Sequence, residues 1–127
     1  MAFIEYNPNP DGKRVGDCVV RAVSKALDIP WEQAYTELAF QGYMMRDMPT
    51  SNHVWGAYLK SRGFRQEILP DCPDCYTVAE FCEDYPDGVY VLATGSHAVA
   101  AVSGNYYDSW DSGREGLVYV WHKTEGE

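Results

Sequence analysis

Gly88-Val-Tyr-Val-Leu-Ala-Thr94, His97-Ala-Val-Ala-Ala-Val102, Tyr106-Tyr-Asp108 and Leu117-Val-Tyr-Val-Trp121 succeed one another in the last third of the chain. All four runs are rich in the β-branched and aromatic residues that suit a pleated surface. The spacers between them, Gly95-Ser96, Ser103-Gly-Asn105 and the stretch around Asp111-Ser-Gly113, are too short to carry a crossover helix, so the runs predict an antiparallel meander. Working back from there, the first half of the chain reads as helix. Asp17 stands where a helix would be capped, and Val19, Ala22, Val23, Ala26 and Leu27 recur at the spacing of one buried stripe. Asp28-Ile-Pro30 ends that helix. Trp31 to about Gln41 predicts a second one, with Ala34, Tyr35 and Leu38 inward and Gly42 as its stop. A third follows Pro49-Thr-Ser-Asn52, with Val54, Trp55, Tyr58 and Leu59 at helical spacing and a stop at Gly63. Phe64 to Leu69 predicts a short strand, and Thr77-Val-Ala-Glu80 is a capping box that opens a brief helix through Phe81 and Cys82. Asn7-Pro-Asn-Pro-Asp-Gly12 is a loop by composition, with order expected only after Gly16. Helices first and strands second is the pattern of an α+β domain, with N-terminal helices packed on a C-terminal antiparallel β-sheet.

At 127 residues, 46% of them apolar, residues 1–127 read as a single domain with enough core to fold without disulfide staples. No apolar run approaches the ~18 residues that span a bilayer, and the N-terminus has neither a basic region nor a long apolar stretch. The expectation is a cytoplasmic protein that engages no membrane. Nineteen acidic against ten basic side chains give a net charge of −9, which would repel a nucleic-acid backbone, so no nucleic-acid partner is expected. Of the four cysteines, Cys72 and Cys75 have the spacing of half a zinc site. A tetrahedral site needs four ligands, however, and His53, His97 and His122 are scattered, so neither metal nor cofactor is expected. All four read as reduced thiols.

Cys18 differs from the rest by position. A thiol in the first turn of a helix faces unpaired backbone N–H groups and the positive end of the helix dipole, and Lys13, Arg14, Arg21 and Lys25 lie near it in sequence. A nucleophile needs an imidazole, and the imidazole an acceptor to orient it. His97 begins one strand and Asp108 ends the next. Counting inward from both meets in the hairpin spacer, so the two residues come together at one end of the strand pair. Asp111 is a second acidic residue within the same turn-rich stretch. Singly each residue has a structural explanation: a small core thiol, a strand histidine, a turn aspartate. Trp55, Tyr106, Tyr107 and Trp110 are aromatic candidates for a substrate groove, whereas Tyr35, Tyr58, Tyr90 and Trp121 fit core faces. The acidic residues Asp71, Asp74, Glu80, Glu83, Asp84 and Asp87 crowd the middle segment and read as a solvated face.

Gly16-Asp-Cys18-Val-Val-Arg-Ala22, followed much later by Ser96-His97-Ala-Val-Ala-Ala-Val102-Ser-Gly104-Asn-Tyr-Tyr-Asp108-Ser-Trp110, resembles the cysteine and histidine blocks of small papain-like cysteine peptidases. The similarity is to compact single-domain proteins of bacteria and phages, related to peptidases that cleave double-glycine leaders. The resemblance implies a papain-like fold and a thiol hydrolase, a cysteine peptidase or amidase, acting on a peptide or protein substrate. Cys18 would be the nucleophile, His97 the base and then the acid, and Asp108 the group that holds the imidazole's tautomer. Papain-like enzymes usually place an oxyanion-binding glutamine about six residues before the cysteine, where this chain has Gly12. Asn9 or Asn7 is the expected substitute. The alternative implied by that departure is a catalytically inactive scaffold that acts as a binding protein in phage–host interaction.

Overall fold

The computed structural model describes residues 2–69 and 76–124. Four helices and six strands run in the order β1 (Ala2–Glu5), α1 (Cys18–Leu27), α2 (Trp31–Met45), α3 (Asn52–Ser61), β2 (Phe64–Ile68), α4 (Val78–Asp84), β3 (Val89–Ala93), β4 (Ala98–Val102), β5 (Asn105–Asp108) and β6 (Tyr119–Lys123). The fold is α+β.

The strands form one sheet in the order β1-β5-β4-β3-β6-β2. Strands β3, β4 and β5 are the expected antiparallel run, with Val91 opposite Ala100 and Ala101 opposite Tyr106. Two features correct the simple meander. First, β6 returns to the far side of β3, pairing Val91 with Trp121, and β2 pairs antiparallel with it at the sheet's edge. Second, the free edge of β5 is taken by β1, which lies parallel to it with Phe3 opposite Tyr106, so the sheet is mixed and order begins well before Gly16. Four residues with Phe and Ile at their centre carry no period of their own, and they become a strand because an unpaired edge is there to receive them.

Strand alternation splits the core in two. Val91, Ala93, Ala98 and Ala100 face α1, α2 and α3, packing with Val19, Ala22, Val23, Leu38, Leu59 and Trp55. Leu92, Val99, Ala101, Tyr106 and Val120 face the other way, onto Val78, Phe81 and Cys82 of α4. The sheet is thus a middle layer, with the N-terminal helices on one side and α4 on the other. The alanines of β4 allow α1 to lie close against it, which brings the start of α1 to the start of β4.

Helix α2 does not stop at Gly42 but continues to Met45, and Arg46 closes it in the left-handed conformation. Gly42 has another role: a Cβ there would lie 2.7 Å from the Asp47 carbonyl oxygen, so the glycine lets the chain fold back against its own helix. Tyr35, expected on the inward face, is 52% exposed and stacks on Trp31 instead. The capping box forms at α4, where the Thr77 hydroxyl accepts from the Glu80 N–H and the Glu80 carboxylate accepts from the Thr77 N–H. Among the described residues no helix is long and apolar enough to cross a membrane. Cys72, Cys75, Asp71 and Asp74 lie outside the described residues.

Candidate active site

Cys18 is the first residue of α1 and is partly exposed. His97 immediately precedes β4, and Asp108 is the last residue of β5. The hairpin between these strands brings the last two together: His97 Nε2 lies 2.6 Å from Asp108 Oδ2. With Nε2 engaged, Nδ1 is the nitrogen left for the thiol, and Cys18 hydrogen-bonds to the same imidazole. Cysteine, histidine and aspartate therefore form one hydrogen-bonded row at the junction of α1 with the sheet.

Electrostatics in the row follow from these contacts. Burial disfavours the thiolate of Cys18, but the hydrogen bonds from His97 and from the Ala98 backbone N–H, with the charges of His97 and Arg21, outweigh it and hold the thiol below its ordinary value. Burial likewise disfavours imidazolium at His97. There the hydrogen bonds and charges of Asp108 and Cys18 prevail, and the pKa is pushed up to about 9. Asp108 is also held below the usual carboxylate range, since its bonds to His97 and Ser112 outweigh its burial. A lowered thiol beside a raised imidazole favours the thiolate–imidazolium pair, the reactive form of a cysteine nucleophile.

Asp108 is fully buried, and both its oxygens are occupied. Oδ2 accepts from His97 and from the Ser112 hydroxyl at 2.6 Å, while Oδ1 accepts from the Ser109 N–H at 2.8 Å and from Arg21 Nη2 at 2.9 Å. Arg21 Nη1 donates to Asp17, and the other Asp17 oxygen accepts from Trp31 Nε1 at 2.8 Å. Asp17 occupies the N-cap position but makes no side-chain cap, contrary to expectation, because its carboxylate is turned to Arg21 and Trp31. The N–H groups of the first turn of α1, with no acceptor inside the helix, are thereby left uncapped beside the sulfur.

Two clefts meet at Cys18 and His97. One, of about 300 Å³, runs between the start of α3 and the β3–β4 loop and is lined by Thr50, Asn52, Trp55 and Gly95. The other, of about 550 Å³, lies toward Arg14, Ser109 and Trp110. Of the aromatic candidates for a groove, Trp55 forms a buried wall of the first cleft. Trp110 is 46% exposed in the second, its ring 4.9 Å from the imidazole. Tyr106 is a core residue whose hydroxyl donates to Asp111, and Tyr107 lies under the Lys25 ammonium, 4.2 Å from its ring centre, so neither lines these clefts.

Asn7 and Asn9 do not line either cleft. The Asn7 amide donates to the carbonyls of Gly12 and Lys13, and the Asn9 oxygen accepts from the N–H groups of Asp11 and Lys13, so both organise their own loop. Asn52 is the amide that does line the first cleft, its Oδ1 held by Trp55 Nε1 at 3.1 Å. Asp111 supports the turn through Tyr106 and the Gly113 N–H rather than approaching His97. Of the cations near Cys18 in sequence, Arg14 pairs with Glu5, Arg21 with two carboxylates, and Lys25 sits over aromatic rings. His122 lies 2.9 Å from Glu67 on the adjoining strand. Sequence reasoning missed Ser112 and Trp31 as members of the site, and it placed Arg21 near Cys18 without its two carboxylate partners. The available signal was the Asp17–Arg21 spacing of four residues, an ion-pair spacing within a helix otherwise built to be buried.

Compared with models of protein families, with curated proteins and with solved structures, the chain matches none.

Proposed function

We propose that the protein is a papain-like thiol hydrolase that cleaves a peptide or isopeptide amide through a thioester at Cys18. The observation that carries this reading is the row Cys18–His97–Asp108, hydrogen-bonded throughout and opening onto a cleft on either side. In this mechanism the Cys18 thiolate attacks the amide carbonyl carbon, a C–S bond forms, and the carbonyl π electrons move onto oxygen. The uncapped N–H groups at the start of α1 supply fixed dipoles for that oxyanion. As the C–N bond breaks, His97 gives its Nδ1 proton to the leaving nitrogen. Water then attacks the thioester while His97 accepts its proton, and the thiolate departs as the acid is released. Asp108 holds the Nε2–H throughout. The clefts match an extended substrate that passes both sides of the sulfur. Acyl transfer to an amine uses the same intermediate, and product analysis with an added amine separates it from hydrolysis.

The test is digestion of a complex peptide mixture, with new termini read by mass spectrometry. Termini made by the wild-type protein and lost with Cys18→Ala support the reading. Identical termini with and without Cys18 contradict it. A binding scaffold, by contrast, keeps its biological effect in Cys18→Ala.

A further inference from the structure

The line of buried polar groups does not end at Asp108. From Trp31 of α2 it passes to Asp17 at the head of α1, to Arg21 one turn later, to Asp108 on β5 and then to His97 before β4. We propose that Arg21 is a positioning residue of the candidate site: its guanidinium fork fixes Asp108 from behind and draws Asp17 off the helix cap, so that imidazole, thiol and first-turn amides are set together. The inference rests on the hydrolase reading and deepens it.

Three observations carry it. Arg21 is 6% exposed although it is charged, and such a group is tolerated only when its donors are met. Its two terminal nitrogens divide between two carboxylates on different elements, a geometry that suits a planar fork and not a point charge. Finally, the Asp17 side chain, which ordinarily would accept from the N–H two or three residues on, makes no cap while Arg21 and Trp31 hold it.

The placement has chemical consequences at both ends. A carboxylate that saw only His97 would hold the imidazole's proton tightly. A guanidinium on its other oxygen offsets part of that negative potential, which eases proton delivery to a leaving nitrogen. The same positive charge, near the start of α1, favours the thiolate of Cys18. The charged groups around the pair are His97 and Asp108 from the hairpin, Arg21 and Asp17 from α1, and Arg14 across the second cleft. Among them Arg21 borders the second cleft but is 6% exposed, with its two terminal nitrogens taken by Asp17 and Asp108. It acts through Asp108 and Asp17.

The experiment compares the wild-type chain with Arg21→Gln, Arg21→Lys and the double variant Asp17→Asn/Arg21→Gln, in which Asp17 is not left as an unpaired charge. The rate of Cys18 alkylation by iodoacetamide, read from the mass of the Cys18 peptide, is followed between about pH 5 and 9. In Arg21→Gln and in the double variant the profile should move to higher pH, with alkylation near pH 6 slowed about tenfold for each unit of displacement. Arg21→Lys should recover only part of the difference, because it restores charge without the fork. A wild-type profile in either glutamine variant that still melts cooperatively overturns the inference, as does full recovery by lysine. The unaltered protein gives a second readout that needs no variant. Separate, slowly exchanging Nη protons of Arg21 that shift when Cys18 is alkylated are expected, and one averaged signal unmoved by alkylation overturns the proposal. If wild-type Cys18 reacts like an ordinary thiol, the hydrolase reading itself falls and takes this inference with it. A reactive Cys18 that is indifferent to Arg21 removes only the inference.

Discussion

Two helices of this protein each carry a cysteine, and they treat it in opposite ways. Helix α4 is closed at its head by a complete capping box, and Cys82 points into an apolar cluster with Phe81, Leu92 and Leu117, 1% exposed. Burial pushes that thiol up to about 11. Helix α1 has an acidic residue at its head that does not cap it, and Cys18 stands beside open amides, an imidazole and a guanidinium that pull its thiol the other way. The residue type is the same. What differs is whether the polar groups at the helix start are closed on themselves or turned toward the sulfur, and this goes with a thiol that is pushed up in one helix and held down in the other.

The comparison can be broken most severely at the reacting atoms. Cys18→Ala and His97→Ala should each lower turnover by ~10⁴ or more, whereas Cys82→Ala should leave it within about twofold, measured as the rate at which new termini form. Next in size is Asp108→Ala. It deprives Arg21, Ser112 and His97 of a common acceptor inside the fold, and urea unfolding should show a loss of about 3–5 kcal/mol. A loss under 1 kcal/mol would mean that the buried network contributes little.

A pH series sharpens the contrast without altering the chain. The thiolate–imidazolium pair exists between the depressed pKa of Cys18 and the raised pKa of His97. Turnover should therefore be bell-shaped, with an alkaline limb near pH 9 as the imidazolium loses its proton. The stability linked to His97 has the matching sign. Its folded pKa lies above the unfolded value of about 6.5, so its contribution is complete below that pH and is lost as pH rises through about 9. An alkaline limb near pH 7 would contradict the assigned partners. The smallest effect belongs to the other helix: Thr77→Ala should cost about 1 kcal/mol and hasten alkylation of Cys82 by opening α4, with the rate at Cys18 unchanged.

What could be read from the sequence follows the range of the interactions involved. Helices α1 and α3, the capping box at α4 and the β3–β4–β5 run are specified by neighbours within a few residues, and they stand as the periodicity and turn residues imply. The meeting of His97 with Asp108 is legible for the same reason, since a short turn between adjacent strands, here Ser103-Gly104, sets where their far ends lie. Long-range pairing is not legible. Nothing in Ala2–Glu5 announces a parallel partner, and nothing in Tyr119–Lys123 says that it will lie beside β3 and not β5. Gly42 misled because a glycine that ends a helix and one that admits a close backbone look alike in sequence. At the site, the roles of Asp17 and Arg21 depend on a carboxylate 87 residues further along the chain, so they read as a cap and as one of several cations near Cys18 until the fold joins them.

The central claim is that surroundings, and not residue type, single out Cys18. Its most direct test is alkylation with less than one equivalent of iodoacetamide near pH 7, followed by mapping of every cysteine by mass in the wild-type protein and in His97→Ala. The account predicts the adduct on Cys18 in the wild type, with Cys82 unlabelled, and loss of that preference when His97 is removed. Labelling of Cys72, Cys75 or Cys82 while Cys18 stays untouched would contradict it.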